Sequence, residues 1–252
     1  MPAETKLSAD HLSLTYTRDG KSRPVLNDVN LVVGKGEFLC IVGRSGCGKS
    51  TLLSTFGGFL SPSSGEVRID GEVVSGPDAR RIVVFQERSV FPWLTVEGNI
   101  DFGLFRQSRA ERQRRIAHYI ELVGLKGFEK AYPAELSGGM KQRLEVARAL
   151  AVHPDMLLLD EPFGALDSIT RLTMRGELLR IWREERNTVI LVTHDIDEAV
   201  QLADRVAVMS DRPANIQKTF PIDIEHPRDI SAPRYLELRN AILEELGIAH
   251  HV

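Results

Sequence analysis

The chain has 252 residues, 42% hydrophobic and 27% charged, with a formal net charge of -3. That content suffices for one domain with a full core, and the lack of a basic excess argues against a nucleic-acid partner. No apolar run nears the roughly 20 residues of a spanning helix, no signal peptide is read at the start, and two cysteines, Cys40 and Cys47, offer no disulfide framework and fit a reducing cytoplasm.

In chain order, Leu12, Leu14 and Tyr16 alternate with polar residues, which predicts a half-buried strand, and Asp19-Gly20 reads as a turn. Further strands are expected at 29–33 and 66–69. The runs Phe38–Val42, 82–85, 156–159 and 189–192 are apolar on both faces, and 206–209 is similar. Such runs suit a parallel sheet buried by helices on both sides. Three helical stripes lie between them: Ile116, Ala117, Ile120 and Val123; Leu144, Ala147, Leu150 and Ala151; Met174, Leu178, Ile181 and Trp182. Gly124 ends the first stripe, and the second stops before Pro154. Strand and helix alternate as in an α/β core. Residues of roughly 90–152 carry helices and no buried strand, which predicts a helical insert. The tail from Pro213 is proline-rich, with one late helix near 235–246.

The segment Gly43-Arg44-Ser45-Gly46-Cys47-Gly48-Lys49-Ser50-Thr51 fits G-x-x-x-x-G-K-[ST], directly after the strand Phe38–Val42 and before a helix-compatible 51–56. Glycines let backbone N–H groups converge on phosphate oxygens, and a helix N-terminus adds a positive dipole end. Lys49 is expected on the β- and γ-phosphates and the Ser50 hydroxyl on Mg²⁺. The strand and helix on either side set this apart from a chance match. Cys47 reads either as a small filler or as a thiol whose thiolate is favoured by Lys49 and the helix end.

The run 156–159 ends in Asp160-Glu161. Strand C-termini are where open α/β sheets place chemistry. Asp160 can hold Mg²⁺ through water, and Glu161 can take a proton from an attacking water. The plainer alternative is a solvated acidic turn before Pro162. A second glycine-rich helix start follows from Leu136-Ser137-Gly138-Gly139-Met140-Lys141-Gln142-Arg143. Ser137 alone could be a helix cap, but two consecutive glycines ask for more. One triphosphate does not need two cradles, so this one is expected to close over the nucleotide of a partner subunit.

With these residues in view, the chain resembles the ATP-binding-cassette family over essentially its whole length. The segment 136–143 is similar to that family's signature motif, 43–51 to its Walker A and 156–161 to its Walker B, with Glu161 in the place of the catalytic base. The resemblance implies that Gln86 touches Mg²⁺ and the attacking water. It implies that Asp167, in Ala165-Leu166-Asp167, crosses a dimer interface. It further implies that His194 contacts the γ-phosphate and that Tyr16 stacks on adenine. Alone, His194 would read as a surface residue and Tyr16 as core. The implied fold is a P-loop NTPase (RecA-like) parallel-sheet core with an N-terminal antiparallel β region and a helical insert. One domain is expected, with residues of about 1–88 and 153–215 as the nucleotide-binding core, 89–152 as the helical subdomain and 216–252 as a tail. ATP and Mg²⁺ are the implied cofactors.

The segments 84–96 and 163–171, with Arg212-Pro213 and His226-Pro227-Arg228, resemble the nitrate/sulfonate/taurine importer ATPases. The implied assembly is a head-to-tail homodimer on the cytoplasmic face of the inner membrane. It would bind permease subunits and act indirectly with an extracytoplasmic solute-binding protein. An ATPase of a lipid-transport or soluble assembly complex is the alternative. The loop residues Phe91, Trp93 and Leu94 either pack the insert on the core or line a groove for the permease.

Overall fold

The computed structural model describes residues 4–18, 20–85, 90–164 and 166–248. The chain opens with two long antiparallel strands, β1 (Thr5–Arg18) and β2 (Lys21–Gly34), followed by β3 (Phe38–Val42) and α1 (Lys49–Phe56). Next come β4 (Ser64–Ile69), β5 (Glu72–Val73) and β6 (Arg81–Val84), then the helices α2 (Val96–Asp101), α3 (Arg109–Leu122) and α4 (Gly138–Ala151). The remainder is β7 (Met156–Asp160), α5 (Ser168–Glu185), β8 (Thr188–Thr193), α6 (Ile196–Leu202), β9 (Arg205–Met209), β10 (Ile216–Pro221) and α7 (Pro233–Glu245).

Two sheets result, ordered β2-β1-β4-β5 and β10-β9-β3-β8-β7-β6. The first is antiparallel throughout. In the second, the five strands from β9 to β6 run parallel, and β10 lies antiparallel on the edge. The fully apolar strands explain themselves by their two faces. Phe38, Cys40 and Val42 of β3 enter one core with the helices α2 to α7, while Leu39 and Ile41 enter a second core with α1 and the antiparallel sheet. Strands β7 and β8 divide the same way, with Leu157 and Leu191 on the helical side and Leu158 and Ile190 on the other. This is the buried parallel sheet expected from the sequence.

Residues 90–151 of the helical insert contain no strand among the described residues. The insert shares the central core, since Val96, Ile100, Tyr119 and Leu144 pack in the same cluster as Phe38 and Val42. Three features differ from the sequence reading. Strand β2 starts at Lys21, eight residues before the expected 29–33: pairing with β1 extends it there, and its first four residues are all exposed, so they carry no alternation to read. Strand β10 falls in the proline-rich tail, where the sequence reading placed only the late helix, and only Phe220 of it is buried. The short helices α2 and α6 span too few residues for a periodicity signal. Asp19 of the expected turn lies outside the described residues, whereas Gly20 has φ 71°, as a turn glycine would.

Candidate active site

Strand β3 delivers the loop 43–48 to the N-terminus of α1. Gly48, the residue before the helix, has φ 126°, and a Cβ there would lie 2.9 Å from Val25 Cγ1. Only glycine lets the loop pass so close to β2. No side chain caps α1 and no acidic residue stands in its first turn, so its free N–H groups remain available to an anion. Lys49 is only 5% exposed, with Nζ donating to the carbonyl oxygens of Gly43 (2.8 Å) and Arg44 (3.1 Å). The loop therefore wraps its own cation. Cys47 is buried in the core shared with Leu52 and Phe56, which favours the filler reading over the reactive thiol. The Cys40 thiol is fully buried, and burial pushes its pKa well up.

Parallel pairing of β7 with β8 brings Asp160-Glu161 beside His194. Asp160 is 3% exposed, and burial raises its pKa against the opposing hydrogen bond from Ser50. Among the described residues, its buried Oδ1 has no hydrogen-bond partner. That orphaned oxygen beside the Ser50 hydroxyl fits a divalent cation. Among the described residues no cluster of three or more His, Cys, Asp or Glu side chains could hold a metal by itself. Such a two-residue seat leaves coordination positions for water and phosphate oxygens, as Mg²⁺ requires. Glu161 has φ 48°, sparsely populated for a non-glycine residue, and its N–H donates to the Val192 carbonyl at 2.9 Å. Its Oε1 lies 3.1 Å from His194 Nδ1.

The His194 loop is braced from two sides. Asp195 caps α6 by accepting from the Glu198 N–H, and Arg175 of α5 reaches Asp195 Oδ2 at 2.6 Å. Partial burial would raise the Asp195 carboxyl, but that N–H and Arg175 outweigh it and hold the pKa low. Thr193 donates its hydroxyl to Glu198, whose burial pushes its pKa up to about 7. From the tail, Arg228 donates to the carbonyls of Val200 (2.6 Å) and Ala203 (2.8 Å) at the far end of α6, and Arg239 donates to Asp197 Oδ1 at 2.9 Å.

These elements enclose a cavity of about 330 Å³. Ser45, Gly46, Gly48, Lys49, Ser50 and Thr51 line one side, Glu161 and His194 another, and Arg212 closes the rim. Most of the expected phosphate-site residues thus meet at one place. Others do not border it. Tyr16 stands exposed on β1, opposite Arg23. Ser137 caps α4, accepting from the Met140 N–H at 3.3 Å, with Gly138 and Gly139 as the first residues of the helix. Asp167 caps α5, accepting from the Thr170 N–H at 3.0 Å. A Cβ on Gly139 would lie 3.3 Å from Leu166 Cδ2, so the starts of these two helices adjoin. Gln86 lies outside the described residues. Sequence reasoning gave no site role to Arg212, Arg175 or Arg228. The dipeptide Arg212-Pro213 belongs to the importer-like segments, but nothing in its spacing ties it to residues 43–51.

The ABC transporter family model matches residues 26–164. The chain is 46% identical over 245 residues to an uncharacterized ABC transporter ATP-binding protein of Methanocaldococcus jannaschii, covering 96% of this chain and 92% of the relative. It is 46% identical over 230 residues to the aliphatic sulfonates import ATP-binding protein of Bacillus subtilis, covering 91% and 90%. To the bicarbonate transport ATP-binding protein of Synechocystis it is 43% identical over 249 residues, covering 95% and 88%. Among solved structures it resembles a dimeric ATP-binding cassette in a post-hydrolysis state bound to ADP and Pi. There the TM-score is 0.78 at 31% identity, covering 87% of this chain and all of the other. The fold, the glycine-rich loop that leads into α1 and these likenesses agree: the chain belongs to the ABC transporter family, as an ATP-binding subunit that hydrolyses ATP.

Proposed function

We propose that this subunit works as a head-to-tail dimer on the cytoplasmic face of the inner membrane and drives import of a small anion through a permease. The sulfonate and bicarbonate relatives support the importer reading, and a small oxyanion of that kind is the solute class this reading adopts. An extracytoplasmic binding protein would deliver the solute. The observation that carries the catalytic part is the Glu161–His194 pair, 3.1 Å apart and opposite Lys49 in one cavity.

In this reading Lys49 leaves its carbonyl partners for the β- and γ-phosphates. Ser50 and Asp160 would hold Mg²⁺, which would supply positive charge against the phosphates. Glu161 accepts the proton of the attacking water. His194 holds Glu161 in place and meets the γ-phosphate from the other side. Tyr16 stacks on adenine, and Gln86 would serve Mg²⁺ and the attacking water. Ser137, Gly138 and Gly139, with Asp167, serve the partner's nucleotide. The N–H groups at the start of α4 replace water on the γ-phosphate as the dimer closes. Hydrolysis removes the group that both cradles share, and the dimer opens.

The loop after 86–89 offers a place for the permease. Trp93 is 68% exposed and packs 5.5 Å from Phe91, which lies 4.6 Å from the ring of Phe102, itself exposed. Three aromatic rings in contact, two of them largely in water, form a patch that suits a short apolar helix. Labelled solute uptake into vesicles carrying the permease, its binding protein and this subunit tests the assignment. Uptake of an alkanesulfonate, nitrate or bicarbonate that stops with Glu161→Gln supports it. Uptake of none of these anions contradicts the solute class.

A further inference from the structure

Among the described residues lining the phosphate cavity, Arg212 is the one that none of the family motifs above explains. It sits in the turn between β9 and β10, which is fastened beside the cradle at three points. Asp211 pairs with Arg44 of the cradle, with Oδ2 3.3 Å from Nη1. Ala214 donates its N–H to the Val25 carbonyl at 2.8 Å and accepts from the Asn27 N–H at 2.9 Å. Ser210 closes the turn, its N–H donating to the Asn215 carbonyl and its hydroxyl accepting from the Asn215 N–H. Val25 is also the residue against which Gly48 packs. One strand, β2, therefore supports both the cradle and the turn that carries Arg212.

The other charges of the cavity are committed. Lys49 is bound to two carbonyls, and Glu161 and His194 face each other. Among the described residues, the Arg212 guanidinium makes no hydrogen bond and no ion pair, yet it borders the cavity. A guanidinium presents a planar fork of donors matched to phosphate oxygens. An unengaged fork on the rim of an anion site is placed to meet an entering anion.

The geometry points to Arg212 as a nucleotide-binding residue that contacts the phosphate tail of ATP in the same chain. This inference rests on the ATP site proposed above. Because Arg212 reaches the rim through solvent, its contribution is charge-dependent and weakens with salt. It favours nucleotides with more phosphate charge, ATP over ADP and ADP over AMP.

The test is titration of the full-length subunit with fluorescent ATP, ADP and AMP analogues at low and high ionic strength. The variants are Arg212→Ala, Arg212→Lys and Lys49→Ala. Arg212→Ala is expected to weaken ATP binding about tenfold at low salt, as loss of one charge-assisted contact does. The loss should be smaller for ADP, near zero for AMP and smaller at high salt. Arg212→Lys, which keeps the charge without the fork, should fall between. The melting temperature of the nucleotide-free protein should not move, since no internal partner is lost. Where Arg212→Ala unfolds, Arg212→Gln carries the same comparison. ATP affinity within twofold of wild type at both salts, with Lys49→Ala unable to bind, overturns the role of Arg212 and leaves the site intact. Unchanged binding by Lys49→Ala overturns the site reading itself, and this inference with it.

Discussion

The start of α1 and the start of α4 are both glycine-rich helix N-termini, but they are built differently. At α1 no side chain caps the helix, the loop is bent back by Gly48, and Lys49, Glu161 and His194 gather around the open end. At α4 the cap is filled by Ser137, and none of 137–139 borders the cavity. The first is a pocket in its own right. The second is a surface that needs something brought to it. The contrast is what the proposed function requires: half of the catalytic site within one chain, and the other half a site only against a second copy.

The comparison can be broken by disabling each end in turn. The largest effect is expected from Glu161→Gln. ATP affinity should remain and turnover fall by about 10²–10⁴-fold, the usual weight of a positioned proton acceptor. Size-exclusion chromatography in Mg-ATP should then show the closed dimer accumulating; wild-type turnover would remove Glu161 from the mechanism. Ser137→Arg should abolish most hydrolysis while leaving monomer ATP affinity within about twofold, because the changed residue lies outside the cavity. Nucleotide titration and phosphate release measured together separate it from Lys49→Ala, which loses both.

A smaller effect sharpens the account of the His194 brace. Glu198 has a folded pKa of about 7 against an ordinary 4.5. A raised carboxylate pKa stabilises the fold below pH 4.5 and loses that contribution as pH rises through 7, a swing on the order of 3 kcal/mol at most. Glu198→Gln keeps an acceptor for the Thr193 hydroxyl and removes the titration. Its melting temperature should therefore fall less than that of wild type between pH 5 and 8; identical slopes would contradict a neutral Glu198. The smallest effect on folding is expected for Phe91→Ala with Trp93→Ala. Core aromatics lose roughly 3–5 kcal/mol each on such truncation. With Trp93 68% exposed, the pair should lose far less, while recovery with the permease is lost. A large drop in melting temperature would make these residues structural.

How legible the molecule was follows from the kind of signal each part carries. Strands buried on both faces, such as Phe38–Val42, show as unbroken apolar runs, and the long helices show their stripes. The cradle was legible because its chemistry is local: Gly43 to Thr51 lie within nine consecutive residues. The Glu161–His194 pair was legible only through the family resemblance, since parallel pairing of β7 with β8 brings together residues 33 apart. Arg212 was not legible at all as a site residue. Its place depends on the turn before β10, an edge strand with a single buried side chain, docking on Val25. Arg228 and Arg239 were hidden likewise, because their acceptors on α6 are set by how the tail folds back.

The central claim, that each catalytic site is shared between two copies, has a direct test by mixing two inactive variants. Lys49→Ala destroys the cradle and spares the α4 start. Ser137→Arg does the reverse. In a head-to-tail pair of unlike chains, one site joins the intact cradle of the second to the intact α4 start of the first. The account predicts that the mixture regains ATP hydrolysis, toward about a quarter of wild-type activity if pairing is random. A mixture no more active than either variant alone would contradict the shared site.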